Sequence, residues 1–121
     1  MERLGGVHLK WYQRHISHMA TALESAEMGD RRSACYHAYQ AVSALLSGIV
    51  GLDPDYPGPV VKTLKSLLLK ISESHPLEIL QCVDELEGGY FSGQGRCVEC
   101  ADLLTDYLHN FLTLPPGDFN A

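Results

Sequence analysis

Two long stretches with a helical apolar period are separated by only two residues, Gly29 and Asp30. Glycine commonly ends a helix, and aspartate commonly caps the start of the next one. Because a two-residue connection leaves the chain no other path, we expect the two helices to form an antiparallel hairpin. Apolar residues three and four apart mark the predicted inner face of each helix: Tyr12, Ile16, Met19, Leu23 and Ala26 in residues 7–28, then Ala34, Ala38, Ala41, Val42, Leu45 and Ile49 in the second helix. The small alanine side chains predict that the two helices of the hairpin approach each other closely.

The remainder of the chain also has a helical period. Residues 51–58 have the turn composition of a loop, and Pro59 suits the first turn of a third helix. Pro76 can open a short fourth helix that the glycine pair at 88–89 would end, and a last helix is predicted over residues 96–112. No convincing strand is found in the sequence. The predicted fold is all-α: an up-and-down antiparallel bundle of about five helices, three long and two short.

The 121 residues are expected to form one domain, residues 1–121, with a core of about 8–113 and a loose tail over 115–121. Hydrophobic residues make up 45% of the chain and charged residues 20%, which is typical of a folded globular domain. No apolar run approaches the roughly 20 residues of a membrane-spanning helix. The first residues also lack the apolar segment of a signal peptide. We therefore expect a cytoplasmic protein with no membrane association.

The net charge is −6, from nine Lys and Arg against fifteen Asp and Glu. A general nucleic-acid coat protein normally presents a basic surface, so this balance argues against that class. The basic residues are concentrated in the first third of the chain, and Arg96 alone follows position 73. This basic region could meet a phosphate group or an acidic partner. A solvated helix face with local ion pairs explains the same pattern.

Two of the four cysteines form a Cys97-Val-Glu-Cys100 motif inside the last predicted helix. A zinc site usually needs a second such pair, and Cys35 and Cys82 could complete a set of four ligands. We nevertheless expect the cysteines to be small buried core residues, with no metal or other cofactor. A disulfide from Cys82 to the last helix is the remaining alternative, which is typical mainly of hyperthermophile proteins.

Histidines from both helices of the predicted hairpin are expected to approach one another. His15 and His18 are three residues apart on one helix surface. In a tight hairpin the numbers of facing residues sum to about 58, which places His37 level with Thr21 and Gln40 level with His18. The predicted cluster consists of His18, His37 and Gln40, with Tyr36 or Tyr39 nearby. Such a cluster could bind an anion or a base edge, or move a proton at neutral pH. The alternative is surface histidines with local hydrogen bonds.

A glycine-rich stretch over residues 88–95 precedes the last predicted helix, with Arg96 at its end. Backbone N–H groups at a helix N-terminus can hold a phosphate, and Arg96 would add a positive charge there. However, the chain has no P-loop motif and no preceding strand to carry one. A flexible connection between two helices is the simpler interpretation.

Residues 33–52, SACYHAYQAVSALLSGIVGL, resemble the second helix of HEPN (higher eukaryotes and prokaryotes nucleotide-binding) domains. Members of this family typically show aromatic and small residues, then Gln-Ala-Ala, then a leucine-rich end. Here that pattern reads Tyr36, Ala38, Tyr39, Gln40, Ala41, Val42, Leu45 and Leu46. The order of predicted elements is also similar over roughly residues 8–113. The resemblance implies an all-α bundle, a homodimer and a small nucleotidyltransferase partner in a toxin–antitoxin-like pair.

Many HEPN proteins are metal-independent ribonucleases with an Arg-x(4–6)-His motif near the start of the final helix. Arg96 occupies that region here, but residues 101–103 lack the histidine. A formal match occurs at the start of the second helix, where Arg31 and Arg32 precede His37 by six and five residues. On a helix these spacings point the side chains about 120–140° apart, so a second protomer would have to complete the site. In that alternative His37 is the general base and Arg32 stabilises the phosphorane.

The preferred hypothesis is a non-catalytic HEPN-like binding module, dimeric, that engages a nucleotide or a nucleotidyltransferase partner. A ribonuclease acting on RNA and a purely structural interaction bundle are the alternatives. The ligand-binding candidates are His18, Arg31, Tyr36, Tyr39, Gln40 and Arg96, and the catalytic candidates are Arg32 and His37. The homodimer has a physical argument of its own, because apolar and aromatic residues surround most of the second helix. One apolar face would pack in the core. The other would contact a partner, unless the second helix is buried on all sides.

Overall fold

A computed structural model describes residues 3–56 and 63–112 of the chain. Within these ranges the fold is an all-α bundle of five helices, as the sequence predicts. The helices are α1 (Leu9–Glu27), α2 (Arg31–Val50), α3 (Leu64–Ile71), α4 (Leu77–Ser92) and α5 (Cys97–His109). None of the helices in the described ranges has the length and apolar character required to cross a membrane. The predicted tail over 115–121 lies outside the described residues.

The hairpin of α1 and α2 forms as the two-residue connection requires. Gly29 adopts a positive φ of 79°, a conformation that glycine accepts without steric cost. The Ser33 N–H donates to the Asp30 side chain at 3.1 Å, so Asp30 is the N-cap of α2. Small side chains fill the contact between the helices, as expected from the alanines. The residues at this contact include Ala22 on α1 and Ala34, Ala38 and Ala41 on α2, all buried.

The predicted inner stripe of α1 is wrong by part of a turn. Ile16 and Leu23 are 55% and 48% exposed, and Ala26 is exposed as well. The buried residues of α1 are instead Trp11, His15, Ala22 and Ser25. Small side chains let α1 approach the alanine face of α2, so helix rotation is set by Ala22 rather than by the largest apolar residues. An apolar strip of α1 therefore remains on the surface.

The central helix is α2, which contacts every other helix of the bundle. Half of its twenty residues are buried: Ala34, Cys35, Ala38, Ala41, Val42, Ala44, Leu45, Leu46, Ser47 and Gly48. Neighbours on several sides explain why α2 lacks a continuous polar face. The apolar circumference of α2 thus matches the fully buried position, and by itself it is no argument for a homodimer.

The fourth helix is longer than the sequence indicates. Gly88 and Gly89 do not end α4, which continues to Ser92 and stops where Gly93 adopts a positive φ of 71°. Gly89 is buried against α5, and a Cβ atom there would collide with the Cys97 sulfur. This close packing holds the glycine pair within the helix. The predicted glycine-rich loop shrinks to residues 93–96.

Two smaller expectations also need revision. The N-terminal residues form a short antiparallel hairpin in which Arg3–Leu4 pairs with Val7–His8, although no strand was expected. Its turn, Gly5-Gly6, has positive φ at both positions, which is the geometry of a tight β-hairpin. Thr63 caps α3, whereas Pro59, the expected start of that helix, lies outside the described residues.

Candidate functional site

The predicted histidine cluster forms at the hairpin of α1 and α2. His18 Nδ1 lies 2.9 Å from His37 Nδ1, and the two ring centroids are 5.2 Å apart with an angle of 30° between the ring planes. One Nδ1 must carry a proton and donate while the other accepts. With both rings neutral, the donor ring exposes an Nε2 lone pair and the acceptor ring exposes an Nε2–H. The pair therefore offers one acceptor on one ring and one donor on the other.

Both Nε2 atoms are available for another group. Neither has a hydrogen-bond partner among the described residues, and no buried side-chain nitrogen or oxygen in this part of the chain is left unsatisfied. The two Nε2 atoms therefore reach solvent. Burial lowers the pKa of His18, and the adjacent His37 lowers it further, so the neutral form of His18 is favoured at physiological pH.

Aromatic side chains extend from this histidine pair across to α4. The Tyr36 ring packs edge-on against His37 at 5.0 Å and stacks on Tyr90 with centroids 5.8 Å apart. The centroid of the Tyr39 ring lies 4.4 Å from that of Tyr90, and Phe91 meets Tyr90 edge-on with centroids 5.3 Å apart. We call the set of His18, Tyr36, His37, Tyr39, Tyr90 and Phe91 the aromatic surface. Its outer members are open to solvent, with Tyr36 43% and Phe91 79% exposed.

Two members of the aromatic surface, Tyr90 and Phe91, were not predicted. The glycine pair at 88–89 predicts a helix end, which places Tyr90 and Phe91 in a loop. The spacing of four between Leu86 and Tyr90 was the available signal, because it continues the apolar period of α4. Once α4 runs to Ser92, Tyr90 faces α2 and completes the stack.

Gln40 lies on the α2 face that carries Tyr36 and His37, since it follows them by four and three residues. Its side chain is half-buried and has no hydrogen-bond partner in the described part of the chain. Burial raises the pKa of the Tyr39 hydroxyl, and the Glu87 carboxylate adds to the rise, so Tyr39 stays neutral. Three predicted ligand-binding residues of α2, Tyr36, Tyr39 and Gln40, thus share one region.

The two catalytic candidates have different neighbours within one chain. Arg32 donates weakly, at 3.4 Å, to the Ser92 carbonyl at the end of α4, and its side chain passes over Gly93. His37 instead bonds to His18 on α1. This separation agrees with the angular spacing of the two residues on a helix. A ribonuclease site built from Arg32 and His37 would still need a residue of a second protomer.

Arg31 and Arg96 lie together in another place, at a cleft of about 550 Å³ between the α1–α2 turn and the start of α5. The Arg96 guanidinium forms a bidentate ion pair with Glu85 at 2.9 and 3.2 Å. The Arg96 N–H also donates to Glu85, and these bonds hold the pKa of that carboxyl below its usual range. The predicted ligand-binding set is thus divided between two locations.

All four cysteines are buried in the core, as expected, and they are paired in disulfides. Cys35 of α2 is bonded to Cys97, and Cys82 of α4 is bonded to Cys100, so both disulfides reach α5. The alternative of a disulfide from Cys82 to the last helix is the correct one for that residue. No group of three or more possible metal ligands occurs among the described residues. The Cys97-Val-Glu-Cys100 motif joins α5 to two other helices.

No protein-family model, curated protein or solved structure matches this chain. The resemblance to HEPN domains therefore stays a prediction based on residues 33–52 and on the order of helices. The aromatic surface and the cleft lined by Arg31 and Arg96, which we call the arginine cleft, are the two candidate sites whose chemistry bears on function.

Proposed function

We propose that this chain is a HEPN-like helical module that binds a nucleotide on its aromatic surface. The observation that carries the proposal is the stacked pair of Tyr36 and Tyr90 beside the bonded pair of His18 and His37. Exposed tyrosine rings stack on any nucleobase, and such stacking contributes about 1–3 kcal/mol per base. The exposed Phe91 ring widens the area on which a base can lie.

Hydrogen bonding by the histidine pair supports the recognition of a base edge. A nucleobase edge presents both donors and acceptors, and it can bond to either the Nε2 acceptor or the Nε2–H donor of the His18–His37 pair. Gln40 adds an amide with both functions and no partner among the described residues. The neutral form of His18, which burial favours by lowering the pKa of its ring, suits a neutral base better than a phosphate.

A phosphate group would bind beside the base, at Arg32. This side chain is exposed, and its one weak bond to the Ser92 carbonyl leaves most of its N–H groups open. Ser92 directly follows Phe91, so Arg32 contacts the helix end that carries the outer part of the aromatic surface. A net charge of −6 disfavours a long polyanion, which makes a single nucleotide the fitting ligand.

A second copy of the chain is part of the same proposal. The strip of α1 that includes Ile16 and Leu23 is apolar and open to solvent, and half-buried Tyr12 and Met19 continue it. Residues 16 and 23 are seven apart and so share one helix face. A self-complementary contact between two such strips would cover them in a two-fold dimer. The nucleotidyltransferase partner implied by the HEPN resemblance would bind this dimer.

Binding of the four nucleoside monophosphates, measured by calorimetry and by thermal shift, tests the nucleotide proposal. We expect at least one of them to raise the unfolding midpoint. Tyr36→Ala should weaken binding about tenfold or more, since it removes the ring that stacks on the base. Tyr56→Ala is the matched control, because Tyr56 is an exposed tyrosine outside the aromatic surface. Absence of any shift at millimolar nucleotide, or equal affinity of both variants, would refute the proposal.

A further inference from the structure

The arginine cleft has a disulfide in its wall. Cys35 and Cys97 both line it, together with Arg31, Arg96 and the turn residues Ala26 and Gly29. A volume of about 550 Å³ lies within the range of small-molecule sites. Cys35 and Cys97 are themselves only 2% and 3% exposed. A reagent that reaches this disulfide must therefore be small enough to enter the cleft.

The two sulfur atoms of this disulfide have different surroundings. Cys97 is the first residue of α5, and no side chain caps that helix end. The positive end of a helix stabilises a negative charge located there, which makes Cys97 the better leaving group. Cys35 lies a full turn inside α2 and has no comparable stabilisation of its thiolate.

Arg31 gives the cleft a binding group for an anionic ligand. Arg31 is exposed and has no partner among the described residues, and it precedes Cys35 by four positions on the same face of α2. The Arg96 guanidinium uses its Nε and one terminal nitrogen for Glu85, so its other terminal nitrogen remains for a ligand. Glu99 is the acidic residue of the cleft lining. Because Glu85 pairs with Arg96, Arg31 is the guanidinium of the cleft lining that has no paired carboxylate in the described part of the chain, and it can bind an anionic group.

We infer that the Cys35–Cys97 disulfide is a thiol-exchange site for an acidic low-molecular-weight thiol. The arginines bind a carboxylate of the thiol compound while its sulfur, as the thiolate, attacks Cys35 Sγ. A new bond forms between these two sulfurs, the Cys35–Cys97 bond breaks, and its electron pair leaves with Cys97 as a thiolate. One thiolate enters and one is released, so the step needs no other oxidant or reductant.

The second disulfide provides an internal comparison. Cys100 is fully buried, and Cys82, although 6% exposed, lies outside the cleft that Arg31 lines. Exchange should therefore occur first at Cys35–Cys97. This step breaks the covalent link between α2 and α5, whereas the Cys82–Cys100 link between α4 and α5 remains. This site is separate from the aromatic surface, so it does not depend on nucleotide binding.

Incubation of the oxidised protein with glutathione or with cysteamine, followed by acid quench and peptide mass mapping, tests the inference. We expect a mixed disulfide at Cys35 first, with a rate constant per thiolate about tenfold higher for anionic glutathione than for cationic cysteamine. Arg31→Gln should remove most of that preference. Lys70→Gln is the control, since Lys70 is an exposed cation on α3 outside the cleft.

Three results would overturn the inference. These are first modification at Cys82 or Cys100, equal rates for the two thiols with the unaltered protein, and resistance of all four cysteines until the protein unfolds. An unchanged glutathione preference in Arg31→Gln would equally refute the role of that arginine. Circular dichroism of each variant confirms that the helices are intact before rates are compared.

Discussion

The Nδ1 atoms of His18 and His37 lie 2.9 Å apart and join the two helices of the hairpin through a single proton. If both rings were doubly protonated, two N–H groups would point at each other and the bond would be lost. The pair thus tolerates at most one positive charge in this geometry. This constraint links the proposed ligand site to the acid stability of the bundle.

The protein should lose stability as the pH falls below about 6.5, the ordinary histidine pKa. Burial lowers the pKa of His18 and of His15, with smaller contributions from His37 and His109, and the bond of His15 to the Ala41 carbonyl opposes part of the effect. The unfolded chain therefore takes up protons before the folded one does. The stabilisation is complete above pH 6.5 and is lost as the pH falls through the lowered folded values. Urea midpoints at pH 7.5 and pH 5 measure the loss.

The variant His18→Gln tests this assignment, because glutamine does not titrate and can still donate to His37. Its midpoint should change less between pH 7.5 and pH 5 than that of the unaltered chain. The carboxylates of Glu85 and Asp55, whose pKa values are also lowered, lose their contribution in a more acidic window. Equal pH dependence in both proteins would contradict the prediction.

Adjacent glycines in α4 should respond oppositely to alanine. A Cβ at Gly88 would meet nothing within 4 Å, so Gly88→Ala should stabilise by about 0.5–1 kcal/mol through helix propensity. A Cβ at Gly89 would collide with the Cys97 sulfur and approach the Gln94 carbonyl oxygen at 2.8 Å. Gly89→Ala should therefore destabilise by about 1–3 kcal/mol. Urea unfolding of both variants measures the difference, and a shift of the same sign in both would show that α4 is not packed in this way.

The two disulfides should contribute unequally to the free energy of unfolding. Cys35–Cys97 spans 62 residues and Cys82–Cys100 spans 18, which corresponds to about 4 and about 3 kcal/mol of loop-closure entropy. Replacing either pair by alanines removes the same atoms from the core, so each double variant is the control of the other. Denaturant unfolding should show the larger loss for the longer loop. A larger loss for Cys82→Ala with Cys100→Ala would contradict the loop argument.

Sedimentation equilibrium at micromolar concentration should give the mass of two chains. Leu23→Glu should yield the monomer mass, because it places a charge in the apolar strip of α1. Leu77→Glu is the control, as Leu77 is also largely exposed but lies at the start of α4. A monomer mass for the unaltered chain would rule out the dimer.

The two disulfides also bear on the expected cytoplasmic location. Cellular thiols are normally kept reduced in the cytoplasm, and intracellular proteins of hyperthermophiles are an exception. The sequence-based expectation depends on the first residues of the chain, which do not show whether cysteines are bonded. The Cys35–Cys97 and Cys82–Cys100 bonds depend on how the helices pack, so the sequence alone does not reveal them. A cytoplasmic location together with both bonds would point to such a source.

Local sequence patterns located the proposed ligand site only in part. The register of the hairpin brings His18 to His37, because Gly29 and Asp30 fix how the two helices face each other. Tyr90 could not be assigned in the same way. Its location depends on α4 continuing through Gly88 and Gly89, and that continuation is stabilised by packing against α5 rather than by helix propensity.

The sequence by itself determined the all-α class, the hairpin of α1 and α2 and the shared face of Tyr36, His37 and Gln40, since each depends on residues close in the chain. Tertiary structure alone decided the rotation of α1, the pairing of the four cysteines and the division of the arginines between two sites. These features depend on which surfaces meet when helices distant in sequence pack together. The period of apolar residues in the sequence does not distinguish one rotation of a helix, or one pairing of cysteines, from another. Close packing of the side chains decides between them.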